Sequence, residues 1–250
     1  MKGLFVTGTD TEIGKTLVTA ALTVALQQAG ARVAPIKSVA AGQVFDDATG
    51  RWLNEDVALL HAAQSLGMRP EQVGPMQFRE PCAPHIAARL EGRTIAREPL
   101  LAAIARSAAM GDWALVEGVG GFRVPLGAGW DTADLAQGLG LPVLLVVGLR
   151  LGCLNHALLT AEAIRARGLR LAGWVANTVD PDMPHAADNL CALQVGLRAP
   201  CWGYLPRLRD ACAASAARHF SLSSAELLQL LRDAQPALAP TETADLTAFP

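Results

Sequence analysis

The chain has 250 residues, 51% of them apolar, with 21 basic and 23 acidic residues and a formal net charge of −2. That length suits one α/β domain with a large core, and the charge balance gives no reason to expect nucleic acid as a partner. The longest apolar run, Leu139 to Leu149, is broken by Gly140, Pro142 and Gly148 and is too short to span a membrane.

The N-terminus lacks the apolar core of a secretion signal, because Thr7 and Asp10 follow closely on Phe5. The five cysteines, 82, 153, 191, 201 and 212, contain no C-x-x-C pair. An odd count suits reduced, structural thiols and a cytoplasmic location.

Gly3 to Val6 is a short apolar run and predicts a strand. It leads into Gly8-Thr-Asp-Thr-Glu-Ile-Gly14-Lys15-Thr16, after which Leu17 to Gln28 is helical in character. Strand, glycine-bounded loop, Gly-Lys-Thr and helix form the layout of a phosphate-binding loop. Glycines let backbone N–H groups turn inward, and the helix N-terminus favours an anion. Lys15 then neutralises the outer phosphates and the Thr16 hydroxyl holds Mg²⁺. Five residues separate Gly8 from Gly14, one more than the usual spacing. The loop is therefore a variant, and its plain alternative is a glycine-capped helix start.

Gly30 stops the first helix. Arg32 to Ile36 predicts a second strand, with Lys37 at its carboxyl end on the rim where parallel sheets bind ligands. The chain has only three lysines, Lys2, Lys15 and Lys37. Its other basic positions are arginine, and a guanidinium cannot replace a compact ammonium among phosphate oxygens, which singles out Lys37.

Gly42 to Leu53 predicts a polar loop, and Asn54 an N-cap for a helix through Leu66. Asp56 lies in that helix's first turn, where acids are favoured in any case. Glu80-Pro-Cys-Ala-Pro84-His85 predicts a rigid loop before another helix, with His85 capping or packing. Trp113 to Val116 predicts a strand ending in Glu117 and followed by Gly118-Val119-Gly120-Gly121. A metal-organising acid belongs at such a position; the alternative is an ordinary glycine turn. Leu141 to Val147 predicts the most buried strand and Gly152 to Arg167 a helix. Leu171 to Ala176 predicts a strand ending at Asn177, and Trp202 to Leu205 a short one ending at Pro206. A last helix runs from Ser223 or Ser224 to Arg232. Residues 1–233 thus read as one domain, a mostly parallel sheet with helices on both faces, and 234–250 as a loosely ordered tail.

Taken together, these stretches resemble the ATP-dependent dethiobiotin synthetases, P-loop enzymes that close the ureido ring in biotin synthesis. Gly8 to Thr16 is similar to the family's G-T-D-T-E-[VI]-G-K-T. Asn54 with Asp56 is similar to its N-x-D, Glu80-Pro81 with Pro84-His85 to its E-P-x-x-P-H, and Leu115 to Gly121 to its L-V-E-G-A-G-G. Lys37-Val39-Gly42, Leu151 to His156 and Gly173 to Asn177 also match family segments.

The resemblance implies a ligase that converts 7,8-diaminopelargonate, CO₂ and MgATP to dethiobiotin, ADP and phosphate. It places Thr16, Asp56 and Glu117 around Mg²⁺. Around ATP it places Glu12, Ile13, Gly14, Lys15, Thr16 and Leu17, with Gly118, Val119 and Gly120 beside the nucleotide. Asn177 with Leu205, Pro206 and Arg207 falls at adenine and ribose. Lys15 and Lys37 go to catalysis, and Thr11 and Lys37 to the substrate. It also implies a cytoplasmic homodimer, without membrane or nucleic-acid partners, in which Gly152 and Asn155 reach the neighbouring subunit's substrate.

The chain departs from the family pattern at several places. Ser38 stands for a proline and Ala41 for a serine, so Ser38 would replace the lost hydroxyl only if the loop shifts. Cys82-Ala83 replaces small hydroxyl residues, Thr178 replaces an acid and Arg150 a lysine. Three other readings are a cobyrinate-amidase-type enzyme, a partition-type ATPase switch and a nucleotide-binding paralogue without turnover. The first needs an amidotransferase domain for which this length leaves little room. The switch needs a lysine early in the loop, where Thr9 and Asp10 stand.

Overall fold

The structure, a computed structural model, describes residues 1–235. In chain order the first third comprises β1 (Gly3–Gly8), α1 (Lys15–Gln28), β2 (Val33–Lys37), β3 (Ala40–Ala41), β4 (Val44–Asp46), β5 (Arg51–Leu53), α2 (Glu55–Ala63) and α3 (Pro70–Val73). Then follow β6 (Gln77–Phe78), α4 (Pro84–Leu90), α5 (Arg97–Ala108), β7 (Trp113–Glu117), β8 (Pro125–Gly127), β9 (Trp130–Asp131) and α6 (Thr132–Leu139). The last third holds β10 (Val143–Leu149), α7 (Cys153–Ala166), β11 (Leu171–Thr178), α8 (Ala186–Leu197), β12 (Cys201–Leu205), α9 (Ala213–Ala217) and α10 (Ser224–Ala234).

Six of these strands form a sheet in the order β12-β11-β10-β1-β7-β2, and every neighbouring pair is parallel. The near-continuous apolar runs of β1 and β10 follow from this, because a parallel sheet is covered on both faces. Along β1, Leu4 and Val6 enter a core shared with α1, α9 and α10. Phe5, pointing the other way, joins the core built by α2 to α8. The order reverses at β1, whose two neighbours are β10 and β7. The carboxyl ends at such a reversal are where open α/β sheets bind ligands.

Several boundaries differ from those expected. The segment from Gly42 to Leu53 is not a plain loop: β4 and β5 pair as an antiparallel hairpin, with Phe45 edge-on to Trp52 at 5.4 Å. Both side chains remain exposed, so the hairpin is held by its own cross-strand pair and by Arg79 over Trp52. Asn54 caps α2 as expected, its side chain accepting from Val57 N, but the helix stops at Ala63 instead of continuing to Leu66. All five thiols are free, as expected: Cys153 is buried, Cys191 is exposed, and Cys82, Cys201 and Cys212 are half-buried.

The last helix extends to Ala234, which is buried, and Gln235 exchanges two hydrogen bonds with the Gly3 backbone at 3.0 and 2.9 Å. Positions 234 and 235 are therefore part of the folded unit. The rest of the expected tail lies outside the described residues.

Candidate active site

The loop after β1 carries its curvature in two residues. Gly14 has φ 87° and Glu12 has φ 57°, so one left-handed position is borne by a side chain and not by glycine. Asn177, at the end of β11, donates from Nδ2 to the Ile13 carbonyl at 2.9 Å. A Cβ on Gly14 would lie 2.3 Å from that same nitrogen, which is why only glycine fits. Asn177, which the resemblance assigns to adenine and ribose, thus also ties the loop to β11. Asp10 adds another tie: its carboxylate takes the Thr11 amide at 2.8 Å and pairs with Arg150.

Four residues from four elements meet beside this loop. The Thr16 hydroxyl lies 2.8 Å from both Asp56 Oδ1 and Glu117 Oε1. Lys37 Nζ lies 2.5 Å from Asp56 and 2.6 Å from Glu117. Lys37 and Glu117 are register partners on β2 and β7, so the sheet itself brings ammonium and carboxylate together.

Burial opposes the charge on Lys37, but Glu117 and Asp56 outweigh it and hold its pKa above the ordinary lysine value. Burial also opposes the charge on Asp56, and Lys37 reverses this, leaving its pKa below the usual carboxylate range. Lys15 has weaker compensation. Burial, opposed by Glu117 and reinforced by Lys37, lowers its pKa to about 8, and its Nζ donates to the Asp10 carbonyl at 2.7 Å.

Glu117 is fully buried, and its Oε2 has no hydrogen-bond partner. An unpaired buried carboxylate oxygen beside a hydroxyl and a second carboxylate is a hard-oxygen donor set that fits Mg²⁺. Among the described residues no cluster of three or more His, Cys, Asp or Glu forms a metal cage.

A cleft of about 630 Å³ opens over these groups. Thr11, Glu12, Gly14, Lys15, Thr16, Lys37, Asp56, Val119 and Gly120 line it, as do Ala41 and Pro81 to Pro84. A Cβ on Gly120 would meet Val124 at 2.9 Å, so this glycine lets the turn close over the cleft.

Other expected residues fall elsewhere. Ile13 and Leu205 bury their side chains, leaving only backbone to offer. Gly118 packs against Phe5, and Leu17 is half-buried behind the loop. Leu205 pairs with Asn177, which puts Pro206 and Arg207 at the same sheet end but outside the cleft. Gly152 and Asn155 are exposed at the start of α7, also away from the cleft.

Two further contacts answer expectations drawn from the sequence. Ser38 does not replace the hydroxyl missing at Ala41: it is fully buried, and both its amide and its Oγ donate to the Glu117 carbonyl, at 2.9 and 2.8 Å. His85 Nδ1 lies 3.2 Å from the Pro125 carbonyl, joining α4 to β8 in a packing role.

A family model described as an AAA domain matches residues 2–215. The ATP-dependent dethiobiotin synthetase BioD of Ralstonia nicotianae is 52% identical over 219 residues, 88% of this chain and 95% of that one. The enzyme of the same name from a Janthinobacterium species is 51% identical over 221 residues, 88% of this chain and 94% of that one. The chain belongs to the ATP-dependent dethiobiotin synthetase family.

The fold extends further than the family. The MinC:MinD cell division complex of Aquifex aeolicus contains a chain with a TM-score of 0.53 and 14% identity, covering 96% of this chain and 99% of that one. That likeness is one of fold alone. A shared fold does not fix a shared chemistry, which lies with the residues around the cleft.

Proposed function

We propose that this chain carries out the ATP-dependent carboxylation and ring closure of 7,8-diaminopelargonate, giving dethiobiotin, ADP and phosphate. One observation carries the reading: Lys15, Lys37, Asp56 and Thr16 line a single cleft beside a phosphate-binding loop, with the buried Glu117 bonded to Lys37 and Thr16 beneath them.

One substrate amine adds to CO₂ to form a carbamate, a weak anionic nucleophile. Its oxygen attacks the γ-phosphorus of ATP, the bond to the bridging oxygen breaks, and ADP leaves. The second amine attacks the carbonyl of the resulting mixed anhydride, expels phosphate and closes the ring. The first encounter is between two anions, so Lys15 and Lys37 offset repulsion and stabilise charge on the transferred group. Lys37 remains charged because its carboxylate neighbours outweigh its burial.

Thr16, Asp56 and Glu117 would hold Mg²⁺, which neutralises charge on the phosphate oxygens when bound. The backbone from Glu12 to Leu17, with Gly118 to Gly120, would cradle the nucleotide, and Asn177 with Leu205 to Arg207 would edge its base and ribose. Thr11, exposed at the mouth of the cleft, would contact the carbamate. No protein nucleophile is required, and the thiols stay out of the reaction.

The unit we propose is a cytoplasmic homodimer, with Gly152 and Asn155 presented to the neighbour's substrate. What supports this is the surface beside them, where Leu151 is 92% exposed and Leu158, Leu159 and Val195 are also exposed. Among the described residues no helix is long and apolar enough to cross a membrane.

The test is ADP release from MgATP and bicarbonate with and without 7,8-diaminopelargonate. Diamine-dependent release, with labelled bicarbonate fixed into acid-stable product, is the expected result. Hydrolysis that ignores the diamine would overturn the reading.

A further inference from the structure

Glu117 is gripped at both ends by two consecutive residues. Its carboxylate takes the Lys37 ammonium at 2.6 Å and the Thr16 hydroxyl at 2.8 Å. Its backbone carbonyl takes the amide and the hydroxyl of Ser38, at 2.9 and 2.8 Å, which occupies both lone pairs. Across the same peptide bond, Gly118 N donates to the Val6 carbonyl at 2.9 Å. The peptide that joins the end of β7 to the glycine turn is thus held between β1 on one side and β2 on the other.

These bonds differ in kind. The two amide bonds continue the parallel ladders of β7 with β1 and β2, and any residue with an N–H can supply them. The Ser38 hydroxyl lies outside the ladder. Ser38 is fully buried, and among the described residues the Glu117 carbonyl is the hydroxyl's one hydrogen-bond partner. The chain beyond Glu117 offers little restraint of its own, since three of the four residues from Gly118 to Gly121 are glycine. A glutamate carries its carboxylate on a run of rotatable bonds, and its rotamer depends on the backbone beneath it. A peptide plane fixed at Glu117 therefore fixes where the buried carboxylate meets Lys37 and Thr16.

We infer that Ser38 is a positioning residue for the reaction: its hydroxyl locks the peptide after Glu117 and so sets the carboxylate against Lys37 and Thr16. Ser38 does not line the cleft, so it acts through Glu117 and not by contact with nucleotide or diamine. Its effect on turnover rests on the synthetase reading above; its effect on nucleotide binding does not. Partners that orient a ligating carboxylate are worth about 10–100-fold in metal affinity or activity. The loss of this hydroxyl should therefore be felt where Glu117 acts, in the use of Mg²⁺ and in kcat, and not in the capture of the diamine.

The experiment uses the full chain and compares wild type, Ser38→Ala, Glu117→Ala and the double variant, with ADP as the calorimetric probe. Ser38→Ala keeps the amide and loses only the hydroxyl. It should cut the gain in ADP affinity brought by Mg²⁺ by about tenfold, while ADP affinity without divalent ions stays within about twofold. In diamine-dependent ADP release, kcat should fall by about tenfold with the KM for the diamine within about twofold, the mark of an interaction that counts in the transition state. In the Glu117→Ala background, Ser38→Ala should have no further effect on the Mg²⁺ gain, because both changes act through one carboxylate. If Glu117→Ala does not fold, the comparison of ADP with and without Mg²⁺ decides. Equal weakening of ADP in both conditions, a Ser38→Ala protein that matches wild type, or an undiminished effect in the Glu117→Ala background would overturn the inference. Should the wild type release ADP without regard to the diamine, the synthetase reading fails, and the ADP comparison still tests Ser38.

Discussion

Replacing Lys37 by methionine would keep the side chain's length and apolar stem while removing the ammonium that holds Glu117 at 2.6 Å and Asp56 at 2.5 Å. Asp56 is partly exposed and can recover water. Glu117 is fully buried, and its carboxylate would keep only the Thr16 hydroxyl at 2.8 Å. Removing one member of a buried ion pair costs about 3–5 kcal/mol, because the other charge is stranded. For a chain of this size each kcal/mol shifts Tm by about 2–4 °C, so Lys37→Met should lower Tm by roughly 6–20 °C.

Glu117→Gln in the same background removes the stranded charge, so the double variant should be more stable than the two single effects predict, by up to about 3 kcal/mol. The assay is urea unfolding of the two single variants and the double variant in buffer without nucleotide or divalent ions. A Lys37→Met protein within about 1 kcal/mol of wild type, or strictly additive effects, would refute the claim that Lys37 and Glu117 depend on one another.

Other predictions concern the loop and the cleft. Because Lys15 titrates at about 8 in the free protein and phosphate favours its charged form, nucleotide binding should take up a proton above that pH. Affinity should then fall by up to about tenfold per pH unit as pH rises above 8, while the free protein, whose unfolded chain still holds the proton, gains stability toward pH 10.5. Calorimetry in buffers of different ionisation heat checks the uptake; none between pH 8 and 10 would count against it. Gly14→Ala puts a Cβ 2.3 Å from Asn177 Nδ2 and should raise the KM for ATP by about tenfold or more, with partial recovery when Asn177→Ala is added. Ala41→Ser should lower the KM for the diamine by about 2–10-fold, the worth of one net hydrogen bond. No change in steady-state kinetics would mean that another group, such as Thr11, already meets the amine.

The central sheet was legible because its strands are apolar runs and because each one that matters closes on a glycine or a polar residue: Gly8 before the loop, Lys37, Glu117, and Asn177 next to the end of β11. Burial on both faces imposes that pattern, so it survives in the sequence. The hairpin of β4 and β5 was not legible, since its strands are three residues long, exposed, and carry no core-facing period. The helices α5, α6 and α8 likewise go beyond the elements expected from sequence.

Within the site, residue types at rim positions pointed to Lys15, Thr16, Lys37, Asp56 and Glu117. The role of Ser38 was hidden because its partner is a backbone carbonyl 79 residues away, and a carbonyl leaves no trace in residue identity. Glu12 in a left-handed conformation was hidden too, since nothing about a glutamate announces a positive φ.

The pairing of Gln235 with Gly3 has a practical consequence. It fastens the end of α10 to the first residue of the central strand, at the pole of the sheet opposite the cleft. A short peptide bridge between these two points would therefore span little distance, and circular permutation with new termini in the exposed turn at Asp47–Gly50 would leave every cleft residue on its own element. The same pole offers a place to anchor the protein to a surface, with the mouth of the cleft facing solution.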